Sequence, residues 1–288
     1  MWVYLNDRFV PKEEAAVSVF DHGFLYGDGV YETLRAYRGR IFMLAEHLAR
    51  LERSASLTQL QLPFGLDRLA DLLRESLDRN QLREAYLRVT VSRGAGEIGL
   101  DPALCKRPTL VIIALPFQPY PESFYTQGIA AIVAKTRRNA PEALPPQVKS
   151  LNFLNNVLAK MEAKAAGAHE ALMLNQQGEL TEGTTSNVFL VRNGRLRTPK
   201  VECGILDGIT RSVVLRLAHE QGITTEEMRL TGDDLSTADE CFLTNTTQEI
   251  LPVTRVDGQA VGKGRPGPLT RRLHDLFRAC LDRFLDGP

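Results

Sequence analysis

Lys149 stands in the run Val148-Lys149-Ser150-Leu151-Asn152-Phe153-Leu154-Asn155-Asn156, and further on the chain reads Thr181-Glu182-Gly183-Thr184-Thr185-Ser186-Asn187-Val188-Phe189. One reactive amine and one fixed carboxylate are what a protein needs to operate pyridoxal phosphate. The amine holds the aldehyde as a Schiff base, and the carboxylate keeps the pyridine nitrogen protonated so that the ring can absorb carbanion charge. Taken singly, each residue has a plainer reading: most lysines face solvent, and a glutamate among small hydroxyl residues is expected to cap a turn. Lys149, however, precedes a helix rich in asparagine and leucine rather than in charge.

Such a cofactor is anchored mainly by its phosphate. Leu206-Asp207-Gly208-Ile209-Thr210-Arg211 opens a predicted helix with apolar positions Ile209, Val213, Val214, Leu217 and Ala218; Asp207 or Gly208 is placed to cap it and Gly222 to close it. The free N–H groups of Ile209 and Thr210 would converge on an anion, favoured by the helix dipole. Alone, this is also the pattern of an ordinary capped helix. Arg50, in His47-Leu48-Ala49-Arg50-Leu51, falls on the helix side away from Leu44, Leu48 and Leu51, where a solvated arginine is the default.

A substrate carboxylate needs donors of its own. Strand alternation puts Tyr31, Thr33 and Arg35 on one face, opposite Val30, Glu32, Leu34 and Ala36; Tyr86, Arg88, Thr90 and Ser92 likewise share a face opposite Leu87, Val89 and Val91. Arginine and tyrosine both donate to a carboxylate, so such a face suits a pocket as well as it suits water. The run Gly94-Ala95-Gly96-Glu97-Ile98-Gly99 matches a dinucleotide pattern, but Leu100-Asp101-Pro102 follows with no helix to carry a pyrophosphate, and it reads as a glycine-rich loop.

These residues must be positioned by alternating strands and helices. A hairpin is expected around Asn6-Asp7, then a strand over Val30 to Tyr37 turned back at Gly39. A helix face of Leu44, Leu48, Leu51 and Ala55 follows, then a second of Leu69, Leu72, Leu73 and Leu77, and strands over Tyr86 to Ser92 and Leu110 to Leu115. Pro116, Pro119 and Pro121 suit an extended connector better than a helix, which divides the chain into domains at 1–117 and 129–288 joined by 118–128. Beyond it, strands are expected over Ile129 to Ala134, Ala171 to Leu174, Asn187 to Val191, Cys241 to Thr244 and Ile250 to Arg255. Leu151, Leu154, Leu158, Met161 and Ala165 define a helix ending before Gly167, and Asn193-Gly194 and Asp257-Gly258 are tight-turn pairs.

The 288 residues carry 35 Lys plus Arg against 35 Asp plus Glu, so no global positive field gathers nucleic acid or anionic membrane. Cys105, Cys203, Cys241 and Cys280 are scattered without short pairing, which argues against a disulfide framework or a zinc cluster and for a reducing compartment. No apolar run reaches the ~18 residues of a membrane span, and the amino terminus lacks a signal-peptide core. A cytoplasmic protein with no metal, nucleic-acid or membrane partner is expected.

The ordered set resembles the class IV aminotransferases, the fold type IV pyridoxal-phosphate enzymes. The resemblance runs from Tyr26-Gly27-Asp28-Gly29-Val30-Tyr31-Glu32 through the Lys149 segment to Thr244-Asn245-Thr246-Thr247-Gln248-Glu249-Ile250. It implies an α/β (α+β) fold in two domains, with a small amino-terminal α/β domain and a larger carboxy-terminal domain holding a mixed sheet or barrel. It also implies a homodimer whose active site takes residues from both subunits. By the same resemblance Lys149 carries the cofactor and shuttles the proton, and Glu182 pairs with the pyridine nitrogen. Arg50, Ile209, Thr210 and Thr246 hold the phosphate, Leu206 packs on the ring, and Tyr26, Tyr31, Thr33, Arg35, Tyr86, Arg88 and Thr247 meet the substrate.

Within the family, Tyr86-Leu87-Arg88 looks like the Tyr-x-Arg strand of branched-chain aminotransferases, and the Arg-x-His trap of well-known D-amino acid aminotransferases is absent from 94–102. Thr33 stands where the branched-chain group usually has glycine, and Phe153 where tyrosine is common. The expected activity is transamination between a branched-chain L-amino acid and 2-oxoglutarate. The alternatives are a D-amino acid or broad-specificity aminotransferase, an aminodeoxychorismate lyase and, from another class, a non-catalytic protein binding a small anion.

Overall fold

The computed structural model describes residues 1–287, which fall into two units. The first comprises Met1–Gln118, Val148–Phe153 and the residues from Arg283. Its strands are β1 (Trp2–Leu5), β2 (Arg8–Pro11), β3 (Gly29–Tyr37), β4 (Arg40–Ile41), β5 (Ala85–Ser92) and β6 (Thr109–Pro116), and its helices α1 (His22–Tyr26), α2 (Leu44–Leu57) and α3 (Leu66–Arg79). The strands form one antiparallel sheet ordered β2-β1-β6-β5-β3-β4. Asn6, with φ +59°, makes the tight β1–β2 turn.

Leu48, Leu51, Leu72 and Leu73 on α2 and α3 pack over Val30, Leu34, Leu87, Val89 and Ile112 of the sheet. Each such fully buried side chain contributes roughly 1.5–3 kcal/mol by area. The opposite sheet face carries Tyr31, Thr33 and Arg35, as the alternation predicts.

Lys149 belongs to this first unit, not to the 129–288 domain that the sequence reading assigned it to. The reason is an open edge. Strand β4 covers only Ala36 and Tyr37 of β3, so the start of β3 has unpaired backbone groups on that side. Residues 149–151 fill it: the Tyr31 N–H donates to the Lys149 carbonyl (3.0 Å), the Leu151 N–H donates to the Gly29 carbonyl (2.9 Å), and Ser150 bridges Val30 antiparallel.

The second unit comprises Pro119–Gln147 and Leu154–Asp282. Its strands are β7 (Ile129–Val133), β8 (Glu170–Leu174), β9 (Leu180–Gly183), β10 (Asn187–Arg192), β11 (Arg195–Pro199), β12 (Thr225–Met228), β13 (Glu240–Asn245), β14 (Glu249–Val256) and β15 (Gln259–Ala260). Its helices are α4 (Glu122–Thr126), α5 (Leu154–Ala165), α6 (Ile209–Glu220), α7 (Gly232–Ser236) and α8 (Pro268–Ala279). The path β10-β13-β14-β7-β8-β9 returns on itself through a β9–β10 pairing at Glu182 and Asn187, so these strands close a barrel of mixed direction. Among the described residues no helix is long and apolar enough to cross a membrane, and all four cysteines are free.

Two local expectations are corrected here. The proline-rich stretch contains the short helix α4, because Pro121 sits at its N-cap, where a missing N–H breaks no helical bond. On α5 the inward side is Ala159 and Ala163, packed with Ala134, Ala171 and Met173, whereas Leu154, Leu158 and Met161 are exposed. The small alanines let the helix approach β8 closely. Leu151 lies outside the helix altogether.

Candidate active site

In the first unit, register places Tyr31 opposite Thr90, Thr33 opposite Arg88 and Arg35 opposite Tyr86, all on one face. The Arg88 guanidinium lies over the Tyr31 ring at 3.8 Å and the Lys149 amine over the same ring at 4.7 Å. Burial pushes the Tyr31 phenol up to about 12, against the opposing pull of Arg88's charge. It is therefore a protonated donor at neutral pH. Thr33 Oγ1 lies 3.5 Å from the Tyr86 hydroxyl. Tyr26 accepts the Gly99 N–H at 3.2 Å, tying α1 to the glycine-rich loop.

Arg35 points its charge elsewhere. Its guanidinium stacks on Phe117 at 3.6 Å and Tyr37 at 4.0 Å, and lies 3.9 Å from the Glu84 carboxylate. Arg50 departs further from expectation, because it is buried rather than solvated: its Nε donates to Glu32 Oε1 (2.6 Å) and its Nη2 to Glu32 Oε2 (2.8 Å).

In the second unit, Glu182 is not a turn carboxylate but the penultimate residue of β9, buried at the barrel's closure. Its Oε1 faces the Arg138 guanidinium at 2.9 Å, and its Oε2 accepts the Leu206 N–H at 3.0 Å and the Asn187 side-chain amide at 3.4 Å. Asn187 also donates to the Leu206 carbonyl (2.9 Å), which locks the Leu206–Gly208 loop beside the carboxylate. Gly208 is the N-cap of α6 and makes no side-chain cap bond; Asp207 does not cap and lies instead 3.5 Å from Arg211.

The chain's residues fit pyridoxal phosphate. The first turn of α6 has no side-chain acceptor, and within it Thr210 Oγ1 is buried without a partner, as a hydroxyl kept for an anion would be. Thr246 and Thr247 lie on the turn joining β13 and β14, where the Asn245 carboxamide oxygen accepts from the Thr247 N–H (3.0 Å), its hydroxyl (3.1 Å) and the Gln248 N–H (2.7 Å). The Asn245 side chain thus ties the turn to itself. Glu182 offers a buried carboxylate for a ring nitrogen, and Lys149 an amine on a sheet edge.

A Cβ at Gly208 would come within 1.9 Å of Asn187 Oδ1. Gly208→Ala is therefore expected to push Asn187 off Leu206 and Glu182, weakening cofactor affinity about tenfold or more. Titrating the apo-protein with pyridoxal phosphate, alongside circular dichroism to verify folding, checks this.

Gly208 was a cap candidate in the sequence and is the cap in the structure, whereas Glu32, His47, Arg138 and Asn187 carry no site role in the sequence reading. A carboxylate among Val30, Leu34 and Ala36 was a signal for Glu32, and its spacing of three from Arg50 was one for His47. Arg138, in Thr136-Arg137-Arg138, offers no local cue.

Against known proteins, the profile of the class IV amino-transferases matches residues 29–256. A Methanocaldococcus jannaschii protein provisionally named branched-chain-amino-acid aminotransferase is 48% identical over 96% of both chains. The D-alanine aminotransferase of Bacillus licheniformis is 41% identical over 96% of both. The solved branched-chain amino acid aminotransferase of Escherichia coli superposes with a TM-score of 0.96 at 33% identity, covering 99% of this chain and 98% of that one. Another solved branched-chain enzyme, complexed with N-(5'-phosphopyridoxyl)-L-glutamate, superposes with a TM-score of 0.94 at 34% identity, covering 99% of this chain and 97% of that one. The chain belongs to the class IV aminotransferases. It is a pyridoxal-phosphate-dependent transaminase of fold type IV.

Proposed function

We propose that the protein moves an amino group between a branched-chain L-amino acid and 2-oxoglutarate, with Lys149 as its catalytic residue. The observation that carries the reading is the shared Tyr31 ring, with the Lys149 amine on it at 4.7 Å and the Arg88 guanidinium at 3.8 Å. A substrate whose carboxylate is taken by Arg88 and the Tyr31 hydroxyl brings its α-carbon toward the amine. The relative from Methanocaldococcus jannaschii supports a branched-chain substrate, and the L-glutamate adduct in the solved branched-chain enzyme supports glutamate and 2-oxoglutarate as the second pair.

Bound pyridoxal phosphate supplies an aldehyde and an electron-accepting ring. Lys149 Nζ takes the substrate's α-proton and returns it in the reverse half-reaction. A Glu182 carboxylate oxygen holds the ring-nitrogen proton. Arg50, the Ile209 and Thr210 N–H groups, the Thr210 hydroxyl and Thr246 bind phosphate, and Leu206 packs on the ring. Tyr26, Thr33, Tyr86 and Thr247 shape the substrate's surroundings. Arg35 completes the wall of that face.

The protein acts as a cytoplasmic homodimer in this reading. Leu154, Leu158 and Met161 exposed in a row on α5, with Phe20 and Phe24 exposed in the first unit, support a partner copy, and the free cysteines support a reducing compartment. A second reading, a D-amino acid aminotransferase, is favoured by the Bacillus licheniformis relative.

Single-substrate half-reactions separate the two. With L-leucine the long-wavelength absorbance of the lysine-bound cofactor in the holoenzyme is expected to disappear. Its disappearance with D-alanine but not L-leucine would overturn the branched-chain reading in favour of the second.

A further inference from the structure

We infer that Glu32 and His47 are positioning residues that hold the Arg50 guanidinium in one fixed orientation for the cofactor phosphate. The inference rests on the assignment of Arg50 to that phosphate. Glu32 projects from β3 into the apolar layer between Val30 and Leu34, and its side chain is wholly buried. His47 and Arg50, three residues apart on α2, both reach it: His47 Nδ1 lies 2.8 Å from Glu32 Oε2, the same oxygen that accepts from Arg50 Nη2 at 2.8 Å. One helical turn on, Ser54 Oγ accepts the Lys149 N–H at 3.1 Å. A single polar stripe of α2 thus serves both Arg50 and the Lys149 segment.

Stability is a poor explanation for this trio. A buried ion pair gains little over apolar residues of the same volume, because desolvating both ions offsets their attraction. His47 moreover leaves Nε2 buried without a partner, a cost without structural benefit. What the trio does provide is geometry. A carboxylate taken through Nε and Nη2 fixes rotation of the guanidinium plane, so its remaining edge is turned away from Glu32 in a defined direction. His47 holds the second oxygen of that carboxylate and so fixes Glu32 in turn.

The charges agree. Burial favours the uncharged form of Glu32, but Arg50's charge and the hydrogen bonds from Arg50 and His47 outweigh it and hold the carboxyl well below the usual range. Burial lowers His47, against the pull of Glu32 and with the help of Arg50 and Lys149, so the imidazole is neutral. The trio carries no net charge. Its contribution to anion binding is therefore orientation rather than field, and the two make opposite forecasts for Glu32→Gln. Removing a negative charge behind Arg50 tightens an anion if field dominates. It loosens the anion if orientation does.

The apo-protein is titrated by absorbance with pyridoxal phosphate and with pyridoxal, which has the same aldehyde and no phosphate. Thermal melts of each variant are recorded separately. Glu32→Gln is expected to lower the ratio of the two affinities about tenfold or more. His47→Leu lowers it as well, whereas His47→Asn, which keeps a donor at the Nδ1 position, stays within about threefold of the parent. A merely structural role would lower the melting temperature and weaken both ligands alike. An unchanged or raised ratio in Glu32→Gln, with Arg50→Gln lowering it, would overturn the inference alone. An unchanged ratio in Arg50→Gln would instead remove the phosphate role of Arg50, and this inference with it. If Glu32→Gln does not fold, the His47 pair decides: equal ratios in His47→Leu and His47→Asn reject positioning.

Discussion

Lys149→Ala is expected to lower transamination by about 10⁴-fold or more while leaving the fold intact. The fold survives because the segment is held by its main chain. The Lys149 carbonyl accepts from Tyr31 and its N–H donates to Ser54, and neither bond uses the side chain. The activity does not survive, because the chain then has no amine over the Tyr31 ring, the ring that Arg88 also lies on. Borohydride reduction of the holoprotein followed by peptide mapping provides a second readout. The label is expected on Lys149 in the parent and on no residue of the variant. A parent labelled at another lysine, or a variant within tenfold of parental activity, would remove Lys149 from the mechanism.

Glu182→Gln is expected to reduce activity by at least about 100-fold, the order seen when one preorganised electrostatic partner of a developing charge is lost. Here stability and activity must be separated, since the substitution leaves the Arg138 guanidinium, 13% exposed, facing a neutral amide. An uncompensated charge of this kind costs about 3 kcal/mol. Chemical denaturation should register that loss. Adding Arg138→Leu should recover much of the stability, because the orphaned cation is gone, without recovering activity. Activity that returns with stability in the double variant would mean that Glu182 matters only as Arg138's partner.

Much of the fold was legible because it repeats locally. Alternation over Val30 to Tyr37 and Tyr86 to Ser92 places the right side chains on the right faces, and the leucine spacing of α2 and α3 marks their buried sides, since both periods are set by backbone geometry. The same reasoning misplaced α5, whose Leu154, Leu158 and Met161 form as good an apolar stripe as any but face outward on this chain. Periodicity says that a face exists; it does not say what covers it.

Lys149, Glu182 and the Leu206–Thr210 turn stood out as candidates by residue type and order, because an amine, a carboxylate and an anion-ready helix start each need particular chemistry, whereas Arg50 entered only through the family resemblance. Which groups hold them was a matter for the folded chain. Glu32 meets Arg50, Arg138 meets Glu182, and the Lys149 segment lies on β3 through contacts between residues distant in sequence. Such contacts have no period and no local motif. They come from where the sheet leaves an edge open, where the barrel closes, and which buried charges must then find one another.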